Sequence, residues 1–447
     1  MDINTYSYSK VPLCLSNNYI AGDLYTKHGV KRGLRDEDGN GVLTGLTSIS
    51  TIKAYNTDKN GKTPCHGELR YRGYDINDIV KHTIETGYGY EKTAYLLLFG
   101  ELPGTKDTEE FKNILGQYQK LPPNFVRDYI MKAVSPDIMT SMTRNILALA
   151  SYDPNPYSAE LGNILRQCIF LIAVFPSLAV YCYQAYNHFK NNGSMYIHSP
   201  SPELSTAENI LVMLRPDSLY SEIEARSLDL MLLLHMEQGG GNNSTFTTRV
   251  VTSTGSDTYS TIAAAMASLK GPRHGGACIR VKGMIDDIRR NVSNPLDKTE
   301  LNAYLQKILD KQAYDKAGLI YGIGHPIYTL SDPRAKLLKQ YAERLSVVKG
   351  RTDEFRLYES IEELAPALLY SNKKYTKPVS ANIDFYSGLI YDMLDIPPTL
   401  YTPMSAVAMI TGWCAHRIEE LSGPAKIIHP AYMSIIPDRD FDSQSKL

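Results

Sequence analysis

The chain has 447 residues, a formal net charge of -1 and a pI near 6.8, a balance that excludes nucleic-acid binding through bulk charge. Hydrophobic residues make up 43% and charged residues 21%, as in a globular chain long enough for two domains or one large domain with an insert. The scattered cysteines (Cys14, Cys65, Cys168, Cys182, Cys278, Cys414) contain no C-x-x-C pair, which argues against a disulfide scaffold or zinc framework and suits a reducing cytoplasm.

Residues 1–60 are polar and turn-rich. The start, MDINTYSYSK, lacks the apolar stretch of a secretory signal, so none is expected. A small β element is expected around Leu43-Thr44-Gly45-Leu46-Thr47-Ser48-Ile49, bounded by Asp38-Gly39-Asn40-Gly41. From residue 90 nearly everything reads as helix: 90–99, stopped by Gly100 and Pro103, then 108–119, 124–133, 138–150, 158–188, 206–213 and 222–238. The most apolar run, 169–181, reads as too short and interrupted to span a bilayer, so no membrane partner is expected. The segment 279–379 is more charged than its flanks and reads as a smaller helical domain inserted in a larger one. Apolar helices then resume at 379–394 and 403–420. The expected architecture is all-α: a large domain of residues 1–278 and 380–447, a small domain of 279–379, and a minor β element near the N-terminus. A cleft between two helical domains is a usual place for a substrate.

Chemistry enters at four stretches. In Gly271-Pro272-Arg273-His274-Gly275-Gly276-Ala277, Pro272 ends one helix and the glycines allow close approach of a ligand. His274 then sits near the start of a helix expected at 278–291, whose positive end favours a neutral ring with an N–H to donate to an enolate. Taken alone, the stretch reads as an interhelical turn that contains a histidine. Gly322-Ile323-Gly324-His325-Pro326 repeats the theme, and Asp332-Pro333-Arg334 follows. Pro333 suits the first turn of a helix capped by Asp332, and Arg334 offers a fork for a carboxylate. In Asn382-Ile383-Asp384-Phe385-Tyr386-Ser387-Gly388 an acid lies in an apolar segment, where burial raises its pKa and makes it a better base. His235, in the run 232–246, reads as a packed helix histidine. No H-E-x-x-H, Walker loop or dinucleotide fingerprint is present, and no metal site is expected.

Together these stretches resemble the citrate synthase family, in the style of its bacterial homodimeric branch. The likeness runs from about Gly29 to Tyr432 and takes in Gly29-Val30-Lys31-Arg32-Gly33-Leu34-Arg35, Tyr71-Arg72-Gly73-Tyr74-Asp75, 240–249, the stretches above and Gly412-Trp413-Cys414-Ala415-His416. The resemblance implies an all-α fold of two domains that close on substrate, and a homodimer whose sites each borrow a residue from the partner. It implies no metal or prosthetic group, with acetyl-CoA as co-substrate and a small keto acid as acceptor. By resemblance, Asp384 takes a methyl proton from acetyl-CoA and His274 donates to the thioester oxygen. His325 acts on the acceptor carbonyl, Arg334 holds an acceptor carboxylate, and hydrolysis releases CoA. The Gly322, Ile323 and Gly324 loop lies along CoA, and Asn242 belongs to the acceptor side.

The acceptor positions depart from the family pattern. Gln238 stands for a histidine, Met409 for a carboxylate-binding arginine, and His429 for an arginine that reaches the partner's site; Pro326 replaces the usual Ala or Arg. Gln238 still donates and His429 still carries charge when protonated, whereas Met409 does neither. Losing a bidentate arginine to a buried carboxylate costs on the order of 2–5 kcal/mol. Three readings follow. In the first, oxaloacetate gives citrate, with Arg417 or Lys426 compensating. In the second, a same-family enzyme uses a less charged acceptor or another short acyl-CoA. In the third, the chain is a non-catalytic paralogue with a binding or regulatory role.

Overall fold

A computed structural model describes residues 2–36, 41–58, 61–371, 378–424 and 426–438. The helices in chain order are α1 (Ile3–Asn18), α2 (Gly22–Lys27), α3 (Ile76–Thr83), α4 (Gly89–Phe99), α5 (Thr105–Tyr118), α6 (Ile138–Leu149), α7 (Leu161–Asn191), α8 (Thr206–Leu214) and α9 (Glu222–His235). They continue as α10 (Asn243–Thr252), α11 (Thr258–Leu269), α12 (Ala277–Asn291), α13 (Lys298–Leu309), α14 (Pro333–Val348), α15 (Thr352–Ser371), α16 (Ile383–Met393) and α17 (Tyr401–Ser422). The all-α expectation holds, and most helices from residue 105 onward fall within a few residues of where periodicity placed them. The expected 124–133 helix is instead a π turn, Val126–Ile130, followed by a 3-10 turn, Met131–Ala133.

The β element lies further along than expected. Strand β1 (Ser50–Asp58) pairs antiparallel with β2 (Gly61–Tyr71), which pairs with β3 (Tyr74–Asp75). Residues 43–47 form no strand. Asp38, Gly39 and Asn40, the expected boundary, lie outside the described residues. The polar start also differs, because Asp2 caps α1 by accepting from the N–H of Asn4 and Thr5.

The chain divides into two compact units, Met1–Leu46 and Thr47–Leu447. The first holds α1 and α2, and neither helix buries a residue. The second holds one hydrophobic core. At its centre α17 packs on α7, α10, α4 and α9, while α16 packs on α14 and α12. Helix α7 corrects the sequence reading: its 31 residues are long and apolar enough to cross a membrane, but 78% of its most apolar window is buried inside the protein. Its apolar surface is spent on the core, against α17, α6, α8 and α5.

Helix starts place the site. Asp332 caps α14 and Pro333 opens it. Asn382 caps α16 by accepting from the Asp384 N–H, and Asn242 caps α10 by accepting from the Thr245 N–H.

Candidate active site

The frame of the site is a short backbone pairing between two distant segments. Gly324 N–H donates to Ser380 O (2.8 Å) and Asn382 N–H to Gly322 O (2.9 Å), around a bridge between Ile323 and Ala381. Asn382 Nδ2 adds a bond to Gly324 O at 2.8 Å. Gly322 has φ +82°, and a Cβ there would lie 2.7 Å from the Phe385 ring, so only glycine allows this approach. The pairing brings His325 beside the start of α16, where Asp384 sits.

Asp384 is half-buried, and among the described residues no donor bonds to its carboxylate. Burial pushes its pKa up to about 6, against a lowering by Arg334 and with a further push from Asp332. That is the setting of a carboxylate kept basic near neutral pH.

His274 lies in the turn before α12, its own N–H bonded to Gly271 O at 2.8 Å. Gly275 is needed there, since a Cβ would meet Leu269 O at 2.4 Å. The ring is held from α10. Ser244 N–H points at Nε2 (3.4 Å), with Ser244 Oγ at 3.1 Å. A backbone N–H can only donate, so Nε2 is the acceptor nitrogen and the ring proton sits on Nδ1. Burial lowers the pKa, opposed by the residue's own backbone, and keeps the ring neutral. Ser244 is itself anchored by the Trp413 indole N–H (3.2 Å).

His325 has the opposite tautomer. Its Nδ1 accepts from the N–H of Ile327 and Tyr328, both at 3.1 Å, so the proton is on Nε2. That nitrogen stands 3.0 Å from the Gln238 amide. Turned so that its oxygen accepts, the amide takes the Nε2–H bond of His325.

Arg334 and Asp332 are 4% and 1% exposed, so their charges must be matched inside the protein. Nε and Nη2 donate to the two Asp332 oxygens at 3.0 and 2.8 Å. The guanidinium also lies 5.7 Å from the Tyr328 ring centroid. Among the described residues no bond to Nη1 is seen, and the pair offsets much of the cation's charge. Asp332 further accepts from the Ile383 N–H (3.3 Å), tying α14 to α16. His235 donates from Nδ1 to Met231 O (2.8 Å), and burial pushes its pKa down to about 4, as suits a packed helix histidine.

The structure therefore brings together Gln238, His325, Arg334 and Asp384, and sets His274 against α10. Asn242 is at the start of α10, its oxygen taken by Thr245 N–H and Ser244 Oγ–H. Met409 is half-buried on α17, one turn before Gly412, on the face that meets Met236 and Gly240. His429 lies in the exposed segment after α17. Arg417 does not compensate for Met409. It is 2% exposed and donates to Thr252 Oγ1 (3.1 Å), Thr261 Oγ1 (3.0 Å), Thr258 Oγ1 (3.3 Å) and Ser256 O (2.8 Å), between α10 and α11. Lys426 is exposed. Among the described residues no group of His, Cys, Asp and Glu is placed to hold a metal ion. Sequence reasoning missed Ser244 and the second role of Asp332 as the partner of the Arg334 fork.

Comparison with known proteins identifies the family. Residues 38–431 match the family model for the citrate synthase C-terminal domain. Citrate synthase of Haloferax volcanii is 32% identical over 400 residues, covering 88% of this chain and 92% of that protein. The 2-methylcitrate synthase of Shewanella oneidensis is 31% identical over 404 residues, covering 89% and 94%. Citrate synthase from Pyrobaculum aerophilum superposes with a TM-score of 0.73 at 27% identity, covering 90% of this chain and 92% of that one. The Thermoplasma acidophilum citrate synthase, solved as a ternary complex with carboxymethyl coenzyme A and oxaloacetate, gives 0.73 at 25% identity, covering 91% and 96%. The chain belongs to the citrate synthase family and is a citrate synthase-like transferase.

Proposed function

We propose that the chain condenses acetyl-CoA with a keto acid, oxaloacetate first among them, and hydrolyses the resulting thioester to citrate and CoA. The observation that carries this reading is the meeting of one raised carboxylate, Asp384, with a neutral His325 and the Arg334 fork at a single backbone junction, while a neutral His274 precedes α12, the helix that packs on α16. A thioester α-proton is weakly acidic, so base and enolate donor must act at the same moment. Asp384 takes the methyl proton while His274 Nδ1–H donates to the thioester oxygen. The enol carbon attacks the acceptor carbonyl, which His325 Nε2–H polarises in place of the Gln238 amide. Arg334 Nη1 holds an acceptor carboxylate, and Gln238 and Asn242 complete the acceptor side. Water then cleaves the thioester.

The Gly322, Ile323 and Gly324 segment is proposed to line the CoA side chiefly through its shape, since the backbone groups of Gly322 and Gly324 are engaged by the 380–382 segment. Closure of residues 279–379 on the rest, a homodimer with His429 reaching the partner's site, and a cytoplasmic location complete the proposal. The six free cysteines suit that location.

A second reading is favoured by the electrostatics. Arg334 is nearly neutralised by Asp332, Arg417 is turned away, and Met409 is apolar, so an acceptor with one carboxylate and an apolar tail also fits. Free-thiol release from acetyl-CoA and propionyl-CoA, with oxaloacetate and with monocarboxylic 2-keto acids, tests both readings. Saturation at low oxaloacetate supports the first, and a preference for monocarboxylic acids supports the second.

A further inference from the structure

Gln238 meets His325 because the turn that carries it is tied down from behind. Gly239 and Gly240 both have φ +71°, a conformation that disfavours any other residue, and a Cβ on Gly240 would lie 2.9 Å from the His416 ring. The amides of this turn end on buried side chains. Gly240 N–H donates to Glu237 Oε1 (2.6 Å), as does Ser50 Oγ–H (3.0 Å), and Gly239 N–H donates to Ser50 Oγ (2.7 Å). Tyr71 O–H donates to the Glu237 carbonyl at 2.9 Å.

Behind Glu237 stands His416, whose Nε2 is 3.0 Å from Glu237 Oε1. Arg249 Nη2 donates to His416 Nδ1 at 2.7 Å. A guanidinium only donates, so Nδ1 accepts and the proton of His416 lies on Nε2, facing Glu237. Arg249 is held in turn by Glu419 and by Glu420, the latter at 2.9 Å. Glu237 and His416 are 2% and 0% exposed. The fit is imperfect, because His416 Nε2 meets Oε1 off axis and Glu237 Oε2, packed against Gly412, finds no donor among the described residues. An apolar pair of similar volume often stabilises as well as a buried ionic chain, so stability alone does not account for this one.

We infer that Glu237 and His416, backed by Arg249, are positioning residues: they fix the 237–242 turn so that Gln238 and Asn242 are held ready on the acceptor side beside His325, and thereby set affinity for the acceptor. The catalytic part of this inference rests on the condensation reading, while the structural part does not. Two variants of the full-length chain separate them. In His416→Phe the Arg249–His416–Glu237 chain is cut. In His416→Gln the amide oxygen accepts from Arg249 and its N–H donates to Glu237, which restores the chain.

Hydrogen exchange of peptides covering 237–242 is expected to quicken at least about tenfold in His416→Phe and to stay near wild type in His416→Gln, with α11 peptides unchanged. The KM for oxaloacetate is expected to rise about tenfold in the first variant and recover in the second, with the KM for acetyl-CoA within about twofold throughout. If His416→Phe fails to fold, Glu237→Gln serves in its place. Unchanged exchange at 237–242 overturns the inference. So does a fall in kcat alone with the acceptor KM intact, which marks a structural role only. If the wild type turns over no keto acid, the condensation reading fails and the exchange result still decides whether the chain positions the turn.

Discussion

The two glycine-turn histidines of this protein are built alike and wired oppositely. His274 receives its bond at Nε2 and keeps its proton on Nδ1, while His325 receives two backbone bonds at Nδ1 and keeps its proton on Nε2. In each case a fixed backbone donor sets the tautomer, from α10 for His274 and from its own turn for His325. They differ in company. His274 is backed by Ser244 and Trp413 in the core, whereas His325 faces Gln238 and shares its surroundings with the Asp332–Arg334 pair. On the proposed reading, the acyl side has the parts that enolisation requires. On the same reading, the acceptor side carries less positive charge than the family pattern and keeps a hydrogen bond at Gln238.

The sharpest way to break this comparison is to remove the base. Asp384→Asn is expected to lower thiol release by about 100- to 10,000-fold with the KM values little changed, measured with free-thiol reagent under saturating acetyl-CoA. Activity that survives the change removes Asp384 from the chemistry. Next comes the enolate donor. His274→Ala is expected to cost about 100- to 1,000-fold in kcat, the scale of one lost oxyanion donor, and a loss confined to the acceptor KM would assign it to the wrong side.

A pH profile addresses the same carboxylate without mutation. Asp384 must be ionised to accept a proton, so kcat/KM is expected to fall about tenfold per unit below a pKa of about 6 and to level above it. The same raised pKa bears on stability with the opposite sense. The folded chain holds this proton more tightly than the unfolded chain, so its contribution to stability is complete below about pH 4 and lost as pH rises through about 6. Asp384→Asn is therefore expected to gain stability at pH 8, by about 1–2 kcal/mol after discounting for its half-exposed position, and little at pH 4. Thermal denaturation at the two pH values tests this. The smallest effect is on the altered side. Met409→Arg is expected to lower the KM for oxaloacetate about tenfold, the worth of one charge-assisted bond. No gain would show that charge at this position does not limit acceptor use.

Much of this was legible in the sequence, for local reasons. Pro272 and the glycines around His274 announced a turn before a helix, and Asp332-Pro333 announced a capped helix start. Asp384 stood out as an acid in an apolar run. Most of the misreadings required tertiary partners. The Ser244 bond to His274 spans 30 residues, and nothing local marks that serine. Asp332 was read as a cap alone, yet the same carboxylate also fills the fork of Arg334. Arg417 looked available to an acceptor because α17 also carries Met409, but the helix turns it toward the α10–α11 hydroxyls. The hairpin was misplaced because β1 and β2 carry many polar and charged residues and pair over a bulge, which blurs alternation.

The most direct measurement is exchange of the acetyl-CoA methyl protons with deuterated solvent, followed by mass spectrometry alongside thiol release, across oxaloacetate and monocarboxylic 2-keto acids. The expected result is solvent exchange or thiol release that depends on Asp384 and is promoted by at least one keto acid. A folded wild-type chain that gives neither exchange nor release with any of them would contradict a working acyl side.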